Sequence, residues 1–289
     1  MTAGDVARVG VVGCGLMGSG ITEAASRAGL EVLVVERDAD ALAAGRHRVE
    51  SSLQRAVKAG KLADVAAEEA LARTTFSTDF ETLAGADLVV EAVVESEADK
   101  VEVFGILDRV VSSPEAILAS NTSSIPIMKL AMATSRPSQV IGVHFFNPVP
   151  VLPLVELVTS LLTSDETAER ARHFAEGQLG KFVIRSKDRA GFIVNALLIP
   201  YVLSAVRMLE SGFATAEDID TGMVKGCAHP MGPLALADLI GLDTTVAVAN
   251  SLYEEFKEPL YAPPPLLARM VDAGLLGRKS GRGFYDYRH

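Results

Sequence analysis

Near its start the chain carries an unbroken apolar run, "RVGVVG" (8–13), which gives way to a glycine-rich turn and then to "LMGSGITEAASRAG" (16–29). Continuous Val, Ile and Leu runs mark strands of a sheet covered on both faces. Apolar residues three and four apart mark a helix with one buried side. On this rule "EVLVVE" (31–36), "ADLVVEAVV" (86–94), "AILAS" (116–120), "QVIGVHFF" (139–146), "LVELV" (154–158) and "KFVIRS" (181–186) are further strands. Residues 16–29 form a helix, and a long helix after Glu36 buries Ala41, Ala44, Val49, Leu53 and Val57. Strand–helix alternation of this kind predicts a doubly wound α/β sheet.

The pattern changes after "RSKDRAG" (185–191). "GFIVNALLIPYVLSAVRMLESG" (191–212) reads as a long buried helix, kinked at Pro200 and closed by Gly212. "TAEDIDTGMVKG" (215–226) begins with a Thr cap and acidic residues in its first turn. Helices are also predicted at 241–256 and, led by prolines, at 262–274, with one closing strand at "GFYDY". The expected division is a sheet domain over 1–186 and a mostly α-helical C-terminal domain over 187–289, joined by a linker near 187–190.

Composition narrows the function. The 289 residues are 49% hydrophobic and 22% charged, as in an ordinary soluble globular protein. A net charge of −10 argues against a general nucleic-acid binder, which needs a basic field. The start of the chain has no basic segment ahead of its apolar run, so no signal peptide is expected, and no apolar stretch is long enough for a membrane span. Cys14 and Cys227 are far apart and outside any Cys-x-x-Cys pattern, which favours a reducing cytoplasm. "CAHP" (227–230) lacks further ligands nearby, and no metal site is expected.

The turn "GVVGCGLMGSG" contains Gly13-x-Gly15-x-x-Gly18 between a strand and a helix, and Glu36 ends the next strand. That context reads as a dinucleotide-binding, Rossmann-type unit. Glycines let the backbone approach a pyrophosphate, and the helix N-terminus faces its charge. Glu36 is placed to accept hydrogen bonds from the adenosine ribose. Its charge repels the extra phosphate of NADP, so NAD is favoured, although the adjacent Arg37 could hold that phosphate. Cys14 fills a gap inside the turn.

A second anomaly lies in "GVHFFNPVPVLPLVELV" (142–158), where His144 and Glu156 interrupt two apolar strands. Buried ionisable groups are costly unless paired. The two are therefore a structural ion pair or a reaction centre. Oxidation of a secondary alcohol needs a base for the hydroxyl proton, and a carboxylate beside an imidazole fixes its tautomer and stabilises imidazolium.

These motifs coincide with "VVEAVVESEADK" (89–100), "SNTSS" (120–124), "HFFNP" (144–148), "DRAGFIVN" (188–195), "GCAHPMGPLALADLIGLDT" (226–244) and "GRKSGRGFYDY" (277–287). Together they resemble the 3-hydroxyacyl-CoA dehydrogenase family, most closely its single-function 3-hydroxybutyryl-CoA members, over nearly the whole chain. The resemblance implies NAD-dependent interconversion of an L-3-hydroxyacyl-CoA and a 3-ketoacyl-CoA. It implies His144 as general base or acid, oriented by Glu156, with Ser123 and Asn195 on the reacting oxygen and Asn147 shaping the site. Gly13, Gly15, Leu16, Met17, Gly18, Glu36, Asn121, Ser123 and Asn147 would contact the cofactor, with Glu95 and Lys100 near its nicotinamide half. Ala196 stands where the family often has Arg.

Several residues carry competing structural readings. Ser124 could cap the helix "IPIMKLA", Asn195 could bridge two helices, and Glu95 and Lys100 could be a solvated surface pair. His47, His173, His229 and His289 read as surface or packing residues. Arg46, Arg48, Arg55, Lys58 and Lys61 form either a solvated helix face or a dock for coenzyme A phosphates, with Lys58 at its centre. A homodimer through the helical domain is expected from the apolar content of 191–206 and from the resemblance. The alternatives are a dehydrogenase of a free hydroxy or sugar acid on the same fold, and a nucleotide-binding protein without turnover.

Overall fold

The computed structural model describes residues 5–288; the first four residues and His289 lie outside the described residues. The chain forms two compact units, Met1–Arg189 and Ala190–His289.

The first unit is built on one eight-stranded sheet: β1 (Arg8–Val12), β2 (Glu31–Val35), β3 (Thr74–Ser77), β4 (Leu88–Glu91), β5 (Ile117–Ser120), β6 (Val140–Phe145), β7 (Leu154–Thr159) and β8 (Phe182–Lys187). Its order is β3-β2-β1-β4-β5-β6-β7-β8. Every neighbouring pair is parallel except β6 and β7. The order reverses between β1 and β4, which opens a crevice beyond their carboxyl ends, the usual ligand position in such a sheet. Helices α1 (Leu16–Arg27), α2 (Ala39–Lys58), α3 (Asp64–Ala72), α4 (Glu97–Val110), α5 (Ile127–Ala131) and α6 (Asp165–Arg172) connect the strands.

The core explains the element choice. Val9, Val11, Val32, Val34, Val90, Ile117, Ile141, Val143, Val155 and Leu157 are buried on the sheet, against Ile21 and Ala25 of α1, Val49 and Leu53 of α2, and Phe174. Truncating one of the larger side chains to Ala would cost about 2–5 kcal/mol. Several elements were not predicted, among them β3, α3, α6 and, in the second unit, a helix over Pro233–Ile240. β3 ("TTFS") is a sheet edge with no fully buried residue, and α3 buries only Ala70. β4 also stops at Glu91, short of the predicted end. There the chain turns across the glycine loop, and a Cβ on Gly13 would lie 2.8 Å from the Ala92 carbonyl oxygen.

The described part of the second unit is helical: α7 (Val194–Glu210), α8 (Ala216–Thr221), α9 (Pro233–Ile240), α10 (Leu242–Phe256) and α11 (Pro265–Asp272). They enclose Val202, Val206, Leu234, Ala237, Leu252 and Leu267. Thr215 caps α8 by accepting from the Asp218 N–H at 3.1 Å, as predicted. α7 departs from the buried helix expected: Leu197 and Met208 are exposed along it. The closing "GFYDY" (283–287) is not a strand: it joins the preceding segment through one isolated bridge, Asp286 with Arg282, beside a second between Arg282 and Gly277. The Asp238 carboxylate holds it, accepting from the backbone N–H of Phe284 and Tyr285 at 3.0 Å and from the Tyr287 hydroxyl at 3.1 Å.

Candidate active site

The three glycines of the turn have three different reasons. Gly13 has φ +85° and closes on Ala92. A Cβ on Gly18 would lie 1.8 Å from the Gly13 carbonyl oxygen, so α1 can approach the turn only without a side chain there. Gly15 has nothing within 4 Å of its would-be Cβ, so open space lies beside that backbone. α1 has no side-chain cap and no acidic residue in its first turn. Its unsatisfied N–H groups and positive dipole end therefore suit an anionic ligand. Leu16 and Met17 form the first turn of that helix. Cys14 fills the gap as expected, packed where a Cβ on Gly45 of α2 would lie 2.6 Å from its own. Burial, and then the Glu36 charge, push its thiol up to about 12.

Glu36 follows β2 directly. Its Oε1 accepts the Cys14 N–H at 2.5 Å and its Oε2 the Arg37 N–H at 3.1 Å, so peptide donors fix the carboxylate beside the turn. Across the crevice a denser network was only partly legible in the sequence. Lys100 is buried, not a surface residue: it is 1% exposed and 2.6 Å from Oε1 of the fully buried Glu91. Its ammonium also lies 3.3 Å from Glu95 Oε2 and 3.5 Å from the Val93 carbonyl oxygen. With its donors so directed inward, the Lys100 ammonium is turned toward Glu91 and Glu95 and away from solvent. Glu95 Oε1 accepts from Thr122 Oγ1 at 2.6 Å, Ser123 N at 2.9 Å, Ser124 Oγ at 3.0 Å and Ser123 Oγ at 3.3 Å. Burial works to raise the Glu95 carboxyl, but Lys100 and the loop donors outweigh it and hold it below its ordinary value.

Ser124 is thus not the cap of α5. That helix takes its cap from Asp188, whose two oxygens accept the Ile127 N–H at 2.8 Å and the Met128 N–H at 2.7 Å. Asn121 Oδ1 accepts the Phe145 N–H at 2.9 Å, tying the end of β5 to β6 beside His144.

His144 and Glu156 occupy directly opposed positions of the antiparallel pair β6 and β7. Residues so opposed share one face of the sheet. The His144 Nδ1 lies 2.8 Å from Glu156 Oε2, both side chains are buried, and the Phe146 ring sits 4.6 Å from the imidazole. A carboxylate on Nδ1 selects the tautomer with hydrogen there and turns proton exchange over to Nε2. Asn147 begins the exposed loop after β6, with a cis bond to Pro148. That loop, the N-terminal part of α1 and the C-terminal half of α2 flank a pocket of about 320 Å³ lined by Arg48, Ser52, Arg55 and Asn147. Lys58 does not line it; it lies exposed at the end of α2, one turn past Arg55. Asn195 belongs to the second unit, half-buried in the first turn of α7. The His229 Nδ1 in "CAHP" pairs with the Tyr201 hydroxyl at 3.1 Å.

Residues 8–189 match the model of the 3-hydroxyacyl-CoA dehydrogenase NAD binding domain, and residues 191–287 match the C-terminal domain of the same family. The chain belongs to the 3-hydroxyacyl-CoA dehydrogenase family. A 3-hydroxybutyryl-CoA dehydrogenase of Mycobacterium tuberculosis is 60% identical over 282 residues, covering 98% of this chain and 99% of that one. The crystal structure of M. tuberculosis FadB2 superposes with a TM-score of 0.97 at 60% identity, over 98% of this chain and 99% of that one. The (S)-3-hydroxybutyryl-CoA dehydrogenase PaaH1 of Ralstonia eutropha gives a TM-score of 0.92 at 47% identity, over 99% and 100%.

Within the family frame the crevice residues fit NAD. The open face at Gly15 and the uncapped α1 suit a pyrophosphate, and the carboxylate of Glu36 suits a ribose. Sequence reasoning missed Glu91, Ser120 and Thr122. Glu91 carried the same signal as His144 and Glu156, an ionisable residue inside an apolar run, but at the end of its strand.

Proposed function

We propose that the protein interconverts short-chain L-3-hydroxyacyl-CoA and 3-ketoacyl-CoA, with 3-hydroxybutyryl-CoA and acetoacetyl-CoA as its pair. The observation that carries this reading is the His144–Glu156 register, a buried imidazole with a carboxylate 2.8 Å from Nδ1 at the ligand end of a dinucleotide-binding sheet. The names of the relatives supply the substrate class.

When bound, NAD supplies the hydride acceptor for oxidation and the hydride donor for reduction. In oxidation His144 Nε2 takes the proton of the C3 hydroxyl as the C3–H bond gives up its hydride, and Glu156 stabilises the resulting imidazolium. In reduction the imidazolium returns that proton to the C3 oxygen. Ser123 holds the same oxygen as its charge changes. The pocket beside α2, with Arg48 and Arg55 on its wall, receives the phosphates of the coenzyme, and Lys58, exposed one turn beyond Arg55, adds its charge to that face.

The protein acts as a homodimer through its helical unit. Support comes from Leu197 (72% exposed) and Met208 on α7 and from Phe213 (79% exposed) just beyond it, large apolar side chains that a monomer leaves in water. A reducing cytoplasm is the protein's proposed compartment, in keeping with two cysteines far apart in the sequence and outside any Cys-x-x-Cys pattern.

The test compares NADH oxidation with acetoacetyl-CoA and with acetoacetate. Turnover with the thioester alone supports the reading. Equal turnover of both would make the protein a dehydrogenase of free acids.

A further inference from the structure

Beneath the candidate site lies a pair of fully buried charges. Glu91, the last residue of β4, is 0% exposed and Lys100, in the first turns of α4, is 1% exposed. Both carboxylate oxygens of Glu91 have partners. Its Oε1 accepts from Lys100 Nζ at 2.6 Å and from Val93 N at 2.7 Å, and its Oε2 accepts from Ser120 Oγ at 2.7 Å. Ser120 ends β5 directly opposite Glu91 in register. Lys100 then reaches Glu95, and Glu95 gathers Thr122, Ser123 and Ser124. We propose that Glu91 is a positioning residue for the reaction: it seats Lys100, Lys100 fixes Glu95, and Glu95 sets the 122–124 loop that presents Ser123. The proposal rests on the reading of Ser123 as a substrate contact.

Two physical arguments carry it. An apolar pair of similar volume would pin α4 to β4 at least as firmly, since buried ion pairs seldom exceed well-packed hydrophobic replacements in stability. Packing therefore does not require these charges. Charge matters for the next step outward, because the ammonium holds Glu95 ionised from its Oε2 side and leaves Oε1 for the loop. Lys100 stands between two carboxylates, and the geometry divides its donors. Glu91 takes the shorter bond, at 2.6 Å, and Glu95 the longer, at 3.3 Å. With Glu91 neutral, Lys100 has one anionic partner and draws the Glu95 carboxylate inward, away from Ser123.

The test is a double-mutant cycle between Glu91→Gln and Ser123→Ala in the full-length protein, read as kcat with acetoacetyl-CoA and NADH. Calorimetric titrations with NADH and with ADP, which carries only the adenosine half, run beside it. Glu91→Gln should lower kcat roughly 10- to 100-fold, the cost of a displaced contact. Ser123→Ala should then cost much less in the Glu91→Gln background than in the wild type. NADH affinity should fall, while ADP affinity, set at the glycine turn and Glu36, should hold. Additive costs, or equal losses of NADH and ADP, would overturn the proposal and leave the site reading intact. A silent Ser123→Ala in the wild type would overturn the site reading and this proposal with it. If Glu91→Gln does not fold, Glu91→Leu combined with Lys100→Met replaces the pair by apolar side chains. That variant should fold, lose kcat and show the same non-additivity, and full activity in it would overturn the proposal.

Discussion

The carboxylate of Glu36 is bound by the turn it accompanies, its Oε1 accepting the Cys14 N–H at 2.5 Å. Its other oxygen accepts the Arg37 N–H, whereas the Arg37 side chain turns to Asp38 at 3.0 Å and stays exposed. The negative charge is thus fixed beside the glycine turn, where the fit to NAD puts the ribose, and the neighbouring positive charge is committed elsewhere. Placing a second phosphate against a fixed carboxylate costs more than the ~1.4 kcal/mol that equals a factor of ten. We expect kcat/KM for NADH to exceed that for NADPH by at least about tenfold. Equal values would mean that Arg37 leaves Asp38 and outweighs Glu36.

Arg55 lines the pocket beside α1 and Lys58 follows one turn later, both exposed. Arg46 and Arg48 are already engaged, the first with Glu50 at 2.8 Å and the second with the Cys14 carbonyl at 3.4 Å. Arg55→Glu and Lys58→Glu should therefore raise KM for acetoacetyl-CoA by roughly 3- to 10-fold each, the scale of an exposed ion pair reversed. A pantetheine thioester lacking the nucleotide should be much less affected. An equal effect on the two substrates would remove the phosphates from this face.

Leu197→Glu places a charge on the exposed apolar side of α7. If that side is the dimer interface, light scattering at micromolar concentration should give a dimer for the wild type and a shift to monomer for the variant. A wild-type monomer would leave these side chains without the role proposed.

How far the sequence was legible follows burial. Strands such as β1, β4 and β6 are fully or nearly fully buried, and their Val and Ile runs announce them. β3 is polar and half-exposed, and α3 is a run of Ala and Glu that buries one residue, so neither has a periodic signal. His144 and Glu156 stood out because an ionisable residue inside an apolar strand is costly. Their register could not be read, because it depends on β7 running antiparallel to β6. Lys100 was legible as a site residue but not as a buried one, because its partner Glu91 lies nine positions earlier, on another element. Ser124 had the spacing of a helix cap and lost that role to Asp188, a residue far along the chain.

The two cysteines should differ in reactivity. Cys14 is buried with its thiol pushed up to about 12, so it stays protonated, and unreactive, throughout the neutral and mildly alkaline range. Cys227 is exposed. A disulfide reagent at pH 8 should modify Cys227 alone in the native protein and both thiols after denaturation. Rapid native modification of Cys14 would mean that the glycine turn opens far more readily than its packing against α2 implies.

The central claim is that His144 and Glu156 do chemistry rather than hold the sheet together. Oxidation consumes neutral His144 and reduction consumes protonated His144, so the rates of the two directions should respond oppositely to pH: reduction gains as pH falls and oxidation gains as pH rises. Glu156→Gln keeps the shape of the pair and removes the charge behind the imidazolium, and should lower kcat, though less than loss of the imidazole. The most direct measurement is kcat of His144→Ala for acetoacetyl-CoA reduction, taken on protein whose circular dichroism and NADH affinity match the wild type. General acid–base catalysis is worth about 10²- to 10⁴-fold. We predict a loss of at least that size with NADH binding little changed; a folded His144→Ala that keeps most of its kcat would contradict the account and leave the pair a structural one.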